Sequence, residues 1–149
     1  IDRGETDRVV GTVTEAIAAG ATAVVGGGVA DGLLAPTVLS GVTPDMAVSR
    51  TEVFGPVVGV ASYSDVNDAF AWANDSRYGL QAGIFTNDLS LGLDAAHRLD
   101  YGGVCINEVP TFRTDQMPYG GIRDSGNTKE GPAWAVREMT EERMVVITR

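Results

Sequence analysis

The spacing of apolar positions changes several times along the chain, and each change marks an element. From Thr6 to Ala19 the apolar residues Val9, Val13, Ala16 and Ile17 fall at helical spacing, while Asp7 and Glu15 are left for water. Gly20 ends this predicted helix. Ala23 to Val25 is a short β-type run, Gly26-Gly27-Gly28 turns the chain, and Leu33 to Leu39 is a further run whose interruption by Pro36 predicts an edge position. Val57 to Tyr63 reads as a strand and Ser64 as the cap of a helix that has Asp65 and Asp68 near its first turn and turns Val66, Ala69, Phe70 and Ala73 inward. After Tyr78-Gly79 the pattern repeats. Ala82 to Thr86 predicts a strand, Asn87 or Asp88 caps a helix carrying Leu89, Leu93 and Ala96 inward, and Val104 to Asn107 predicts a third strand.

Strand, helix, strand, helix, strand with short connections predicts an α/β fold, in which right-handed βαβ units build a parallel sheet with helices on both faces. Ligands of such sheets lie beyond the carboxyl ends of the strands. Glu108 to Gly131 follows the third strand as a long segment rich in glycine, proline and charge, and loops of that length are functional or disordered. Pro132 suits the first turn of a last helix with Trp134 and Met139 inward, and Met144 to Thr148 predicts a final strand.

A length of 149 residues with 44% hydrophobic content allows one domain with a real core. Eleven basic residues against 20 acidic ones make nucleic acid and anionic membranes poor partners. No apolar run reaches the roughly 20 residues that span a bilayer, and no signal-peptide pattern opens the chain, so a cytoplasmic location is expected. One cysteine and one histidine supply neither an internal disulfide nor a typical zinc site. The chain begins with Ile1 rather than Met, and Ile1-Asp2-Arg3 already leads into a helical pattern, as expected of a piece of something longer.

The candidate chemistry is sparse. Gly26-Gly27-Gly28 fails the dinucleotide-binding pattern because Asp31 stands where the third glycine belongs and no helix pattern follows, so a turn between strands is the expectation. Cys105 lies between Val104 and Ile106 in a predicted strand, without a cationic neighbour to stabilise a thiolate, and reads as an inert core thiol. His97 falls near the C-terminal turn of a predicted helix, a place the helix dipole favours for this residue type, and is not expected to act as a base. Thr51-Glu52-Val53-Phe54-Gly55-Pro56-Val57 sets a carboxylate and an aromatic ring at the mouth of a strand. These are parts that can hold a nicotinamide ribose, although a solvated Glu52 and a core Phe54 are the ordinary alternative. The loop from Asn107 to Gly121 combines Phe112, Arg113 and Tyr119 between proline and glycine corners. It could wall a small-molecule pocket, or else pack Phe112 inward and pair Arg113 with Asp115 at the surface.

Taken in order, these segments resemble the aldehyde dehydrogenase family. Glu52-Val53-Phe54-Gly55-Pro56-Val57 is similar to the family's cofactor segment. Ala73-Asn74-Asp75 with Tyr78-Gly79-Leu80 and Ala82-Gly83-Ile84-Phe85-Thr86 resembles its next signature, and Gly103-Val104-Cys105-Ile106-Asn107 the one after. Pro118-Tyr119-Gly120-Gly121 with Ser125-Gly126 resembles its Pro-Phe-Gly-Gly and Ser-Gly motif. The resemblance implies that residues 1–140 are the second half of a catalytic domain and that 141–149 form a C-terminal strand that joins subunits of a homo-oligomer. It also implies that Glu52 binds the nicotinamide-ribose hydroxyls, that Phe54 lines the nicotinamide of NAD or NADP, and that Phe112, Arg113 and Tyr119 belong to the substrate pocket.

By the same resemblance, the activity of the whole enzyme is thiolate attack on an aldehyde, hydride transfer to NAD or NADP, and hydrolysis of the thioester to a carboxylate. The nucleophilic cysteine and the general-base glutamate match no position here, so the isolated chain is expected to oxidise nothing alone. Val109-Pro110-Thr111-Phe112-Arg113 is most like members acting on small aldehydes such as lactaldehyde or phosphonoacetaldehyde, and Arg113 would meet an anionic group on the substrate. Two departures stand out. Tyr119 replaces Phe, and Thr128-Lys129-Glu130 stands where Gly-Arg-Glu is common, which puts the local turn in question because threonine disfavours positive φ. The competing readings are a non-catalytic truncated paralogue, an oligomerisation or binding module, and a half that rebuilds an active site with a separate upstream chain.

Overall fold

The computed structural model describes residues 3–149. Ile1 and Asp2, where the sequence pattern leads into the first helix, lie outside the described residues. The chain divides into two units, Ile1–Val66 and Asn67–Arg149.

In the first unit, helix α1 (Arg3–Ala18) buries Val9, Val13 and Ala16 as its spacing predicts, while Ile17 remains 42% exposed. Beyond α1 the chain closes with Gly20 at positive φ. The Gly20 N–H donates to the Ile17 carbonyl and the Ala21 N–H to the Ala16 carbonyl, a paired cap that satisfies the last turn. Strands β1 (Thr22–Val25), β2 (Val29–Ala30), β3 (Leu33–Leu34) and β4 (Thr37–Ser40) follow, with the Gly26–Gly28 turn between β1 and β2. Pro36 falls between β3 and β4 instead of interrupting one strand. As a result β4 is not an edge strand. It is central, antiparallel to β1 and parallel to β5 (Val57–Val60), and Leu39 on it is fully buried. Leu39 packs with Val13, Ala16, Ala21, Val42 and Met46 in the unit's core. The buried Thr37 is satisfied: its Oγ1 accepts from the Gly27 N–H and donates to the Ala35 carbonyl. A short helix α2 (Ala47–Arg50) precedes the Thr51–Pro56 loop that leads into β5.

In the second unit, strands β6 (Gln81–Ile84) and β7 (Gly103–Ile106) pair in parallel, joined by helix α4 (Leu89–Arg98), as a βαβ unit requires. The single parallel sheet expected from the sequence is not formed: β5 belongs to the sheet of β1 and β4, while β6 and β7 make their own. Asp88 caps α4, its side chain accepting from the Ser90 and Leu91 N–H groups. The inward face of α4 differs from the expected one. Gly92, Ala95 and the following Leu99 are buried, and Leu89 and Leu93 are 71% and 54% exposed. The cause is Gly92: a Cβ there would stand 3.1 Å from Ile106 Cγ2, so the helix rests on β7 through its glycine.

Helix α3 (Val66–Asn74) buries Phe70, whose ring lies 4.5 Å from the Arg98 guanidinium carbon. The ends of α3 and α4 are tied by Asn74, which donates to the Arg98 carbonyl and accepts from the Asp100 N–H, and by the Tyr101 hydroxyl, which donates to the Ala73 carbonyl at 2.7 Å. Helix α5 (Pro132–Glu138) starts at Pro132 as predicted and half-buries Trp134, but leaves Met139 82% exposed. Met144 to Thr148 forms no strand among the described residues. A strand needs a neighbouring ladder and none is offered among the described residues, and Met144, Val145, Val146 and Ile147 are all exposed.

Candidate functional site

The sequence-predicted cofactor residues sit on the loop between α2 and β5. Phe54 adopts φ 51° and is 76% exposed. A bulky L-residue in that region is strained by about 1–3 kcal/mol and persists only where its surroundings impose it. Three contacts do so. Arg8 Nη2 on α1 donates to the Val53 carbonyl at 2.8 Å, the Pro56 carbonyl accepts from the Thr37 N–H at 2.8 Å, and the Gly55 carbonyl accepts from the Val57 N–H at 2.8 Å.

The ring therefore stands out on a pinned loop, beside a cavity of about 160 Å³ lined by Val9, Leu33, Leu34 and Pro56. Glu52 is exposed two residues earlier, and among the described residues no hydrogen bond or ion pair engages its carboxylate. A free carboxylate can accept from two vicinal hydroxyls, and an exposed aromatic ring gives a flat heterocycle a surface to lie on. The core position considered for Phe54 from sequence is not the one it takes.

In the second unit, Arg113 and Tyr119 come together and Phe112 does not join them. The Arg113 guanidinium carbon lies 4.6 Å from the centroid of the Tyr119 ring, and Arg113 Nη2 pairs with Glu130 Oε2 at 2.6 Å. Its partner is thus Glu130 rather than Asp115. Tyr119 and Glu130 are brought opposite one another by a β-bridge in which the Glu130 N–H donates to the Tyr119 carbonyl at 2.6 Å. Arg113, Lys129, Glu130 and Met139 line an open cleft of about 590 Å³. Phe112 is 46% exposed in a turn closed by its N–H on the Val109 carbonyl, and lies outside that cleft's lining.

The Pro118–Gly126 segment is held by close backbone approach. A Cβ on Gly102 would strike the Gly120 carbonyl, one on Gly120 would strike the Thr128 carbonyl, and one on Gly121 would come within 2.5 Å of Ser125 Cβ. Gly79 joins the same knot. Its N–H donates to Ser125 Oγ, and its carbonyl accepts from the Gly102 and Ile122 N–H groups. The Thr128 departure costs nothing in turn geometry, since Gly126 and Gly131 carry the positive φ values there and Thr128 does not.

Sequence reasoning missed Arg123, which is the anchor of this segment. Its Nη1 donates to the carbonyls of Asn74, Ser76 and Tyr78, and its Nη2 faces Asp100. It also missed Arg8 and Glu130 as the partners of the two candidate loops. The only sequence signal for Arg123 is its place inside the Gly120–Gly126 motif. Cys105 is a half-buried strand residue opposite Gly83, and His97 is exposed in the last turn of α4.

Residues 1–145 match the aldehyde dehydrogenase family. The chain belongs to that family. It is 47% identical over 143 residues to 3-sulfolactaldehyde dehydrogenase from Priestia aryabhattai, covering 96% of this chain and 30% of that enzyme. It is 45% identical to lactaldehyde dehydrogenase from Methanococcus vannielii, covering 94% of this chain and 30% of that enzyme. Its fold matches the crystal structure of the glyceraldehyde-3-phosphate dehydrogenase GapN from Methanocaldococcus jannaschii complexed with NADP, with a TM-score of 0.87, 36% identity, and coverage of 93% of this chain and 30% of that one. The chain thus spans about 30% of the length of the relatives it matches. Among the described residues, no helix is long and apolar enough to cross a membrane.

Proposed function

We propose that this chain supplies the nicotinamide-ribose clamp and one wall of the substrate pocket to an NAD(P)-dependent aldehyde dehydrogenase that oxidises a small aldehyde to a carboxylic acid. The observation that carries the proposal is the Glu52–Phe54 loop: a carboxylate that none of the described residues engages and a ring held outward at positive φ, in a chain of this family. When bound, NAD or NADP supplies the hydride acceptor. Glu52 accepts from the two ribose hydroxyls, and Phe54 gives the nicotinamide face a fixed surface. Together they restrict where the ring can sit, a contribution to catalysis through orientation.

The nucleophilic cysteine and general-base glutamate of the reaction lie outside this chain, and the chain alone is inactive. Arg113 faces the aldehyde's substituent. Its guanidinium carries five donors, of which the Glu130 pair and the Tyr119 stack leave some free for a carboxylate, phosphonate or sulfonate. The name of the 3-sulfolactaldehyde relative supports an anionic small aldehyde, and the lactaldehyde relative supports its size. Met144 to Thr148 pairs with a strand of another subunit, which gives its exposed apolar side chains and open backbone a ladder.

The test is Glu52→Gln in the full-length enzyme. It keeps the side chain's size but turns one acceptor into a donor, and kcat/KM for the cofactor is expected to fall about 10-fold or more. Wild-type kcat/KM in that variant contradicts the clamp.

A further inference from the structure

We propose that Arg8 is a positioning residue for the cofactor clamp, acting through the Val53 peptide rather than by touching cofactor or substrate; the proposal rests on the clamp reading of Glu52 and Phe54. The Val53 carbonyl and the Phe54 N–H belong to one rigid peptide plane, and the φ of Phe54 is a rotation measured from that plane. Arg8 Nη2 grips the Val53 carbonyl at 2.8 Å and so fixes the reference from which Phe54 turns to 51°. On the other side of Phe54 the next residue of the same helix sets the limit: a Cβ on Gly55 would stand 2.9 Å from Val9 Cγ1, so Gly55 lies directly against α1. Adjacent residues of one helix therefore hold both flanks of the strained aromatic.

The guanidinium is itself held in place. Glu5, one turn earlier, accepts from Arg8 Nε at 2.9 Å and lies 2.8 Å from Nη2, which leaves the fork aimed at the loop. Without this donor the Val53 peptide is free to rotate, Phe54 can relax to negative φ, and the ring and the Glu52 carboxylate lose their common orientation.

The experiment compares Arg8→Gln, Arg8→Lys and Glu52→Gln, together with the Arg8→Gln/Glu52→Gln double variant, in the full-length enzyme, with KM for cofactor and aldehyde, kcat and thermal midpoint measured for each. Arg8→Gln is expected to raise the cofactor KM about 5- to 10-fold with the aldehyde KM unchanged, and Arg8→Lys, which keeps a donor but loses the fork, about 2- to 3-fold. In the double variant the Arg8→Gln effect should shrink, because a clamp that has lost its carboxylate gains less from being positioned. The proposal is overturned if the cofactor KM is unchanged in both Arg8 variants, if cofactor and aldehyde KM rise together, or if the two substitutions are additive. A silent Arg8→Gln beside an impaired Glu52→Gln removes the positioning role and leaves the clamp standing, whereas a silent Glu52→Gln removes both. Should Arg8→Gln not fold, Arg8→Lys gives the same reading on its smaller scale.

Discussion

In the Ile1–Val66 unit the core is made by side chains, with Val9, Val13, Ala16, Ala21, Leu39, Val42 and Met46 all buried around a three-stranded sheet. In the Asn67–Arg149 unit the buried apolar residues among those described are Phe70, Ala95 and Leu99, and close contacts onto the backbone hold much of the rest. Glycines press against carbonyls, Arg123 collects three of them, and Asn74 and Tyr101 tie helix ends. The same unit leaves Leu89, Leu93, Val136, Met139 and Met144 to Ile147 exposed. The first unit, around its side-chain core, also leaves apolar residues exposed, among them Val24, Val25, Leu33, Phe54 and Val58. A unit locked by close backbone contact can keep its shape while still presenting apolar surface, and the proposed longer enzyme and its subunit partners would bury that surface.

The contrast predicts that the two units fail for opposite reasons. Gly102→Ala should have the largest effect. The new Cβ meets the Gly120 carbonyl, which cannot move without dislodging Gly121 and Ser125, and the expected loss exceeds about 4 kcal/mol. Hydrogen exchange should show protection vanishing first at the Gly79, Gly102 and Ile122 amides, and native protection there would break the comparison. Leu39→Ala comes next, with an expected loss of about 2–5 kcal/mol from a fully buried site, read as a lower urea midpoint with protection lost first in β4 and β5.

Tyr101 sharpens the second unit's side of the contrast at smaller scale. Burial raises its hydroxyl pKa above the ordinary value, and the nearby Arg123 charge pulls it part-way back. A folded pKa above the unfolded one means that this contribution is fully present below about pH 10 and is lost as pH rises through the folded value, where the ionised oxygen can no longer donate to the Ala73 carbonyl. Tyr101→Phe should cost about 1 kcal/mol at neutral pH and flatten the alkaline fall of stability, as followed by denaturant titrations between neutral and alkaline pH.

What was legible in the sequence follows the same division. The inner face of α1, the Gly20 stop and the Asp88 cap could be read because each depends on residues a turn or less apart. The central place of β4 could not, since it depends on β1 and β5 arriving on either side and on Pro36 falling just outside the strand. The face of α4 was misread because Leu89 and Leu93 compete with Leu91, Ala95 and Leu99 for the same period, and the glycine contact with Ile106 decides between them.

At the candidate site, Glu52, Phe54, Arg113 and Tyr119 were nameable from their motifs. Their supports were not. Arg8 reaches 45 residues ahead to a carbonyl, Arg123 binds carbonyls 45 to 49 residues behind it, and a carbonyl leaves no mark in a sequence. The positive φ of Phe54 likewise has no local signal, because the residue type argues against it.

The central claim is that the Glu52 carboxylate grips the nicotinamide ribose, and the most direct measurement is a cycle on the full-length enzyme. Wild type and Glu52→Gln are each assayed with the natural cofactor and with an analogue lacking the hydroxyls of the nicotinamide ribose. The account predicts that removing the hydroxyls weakens the wild type about 10-fold or more and Glu52→Gln far less, since the partner is already gone. Equal loss in both enzymes would place the ribose elsewhere and contradict the account.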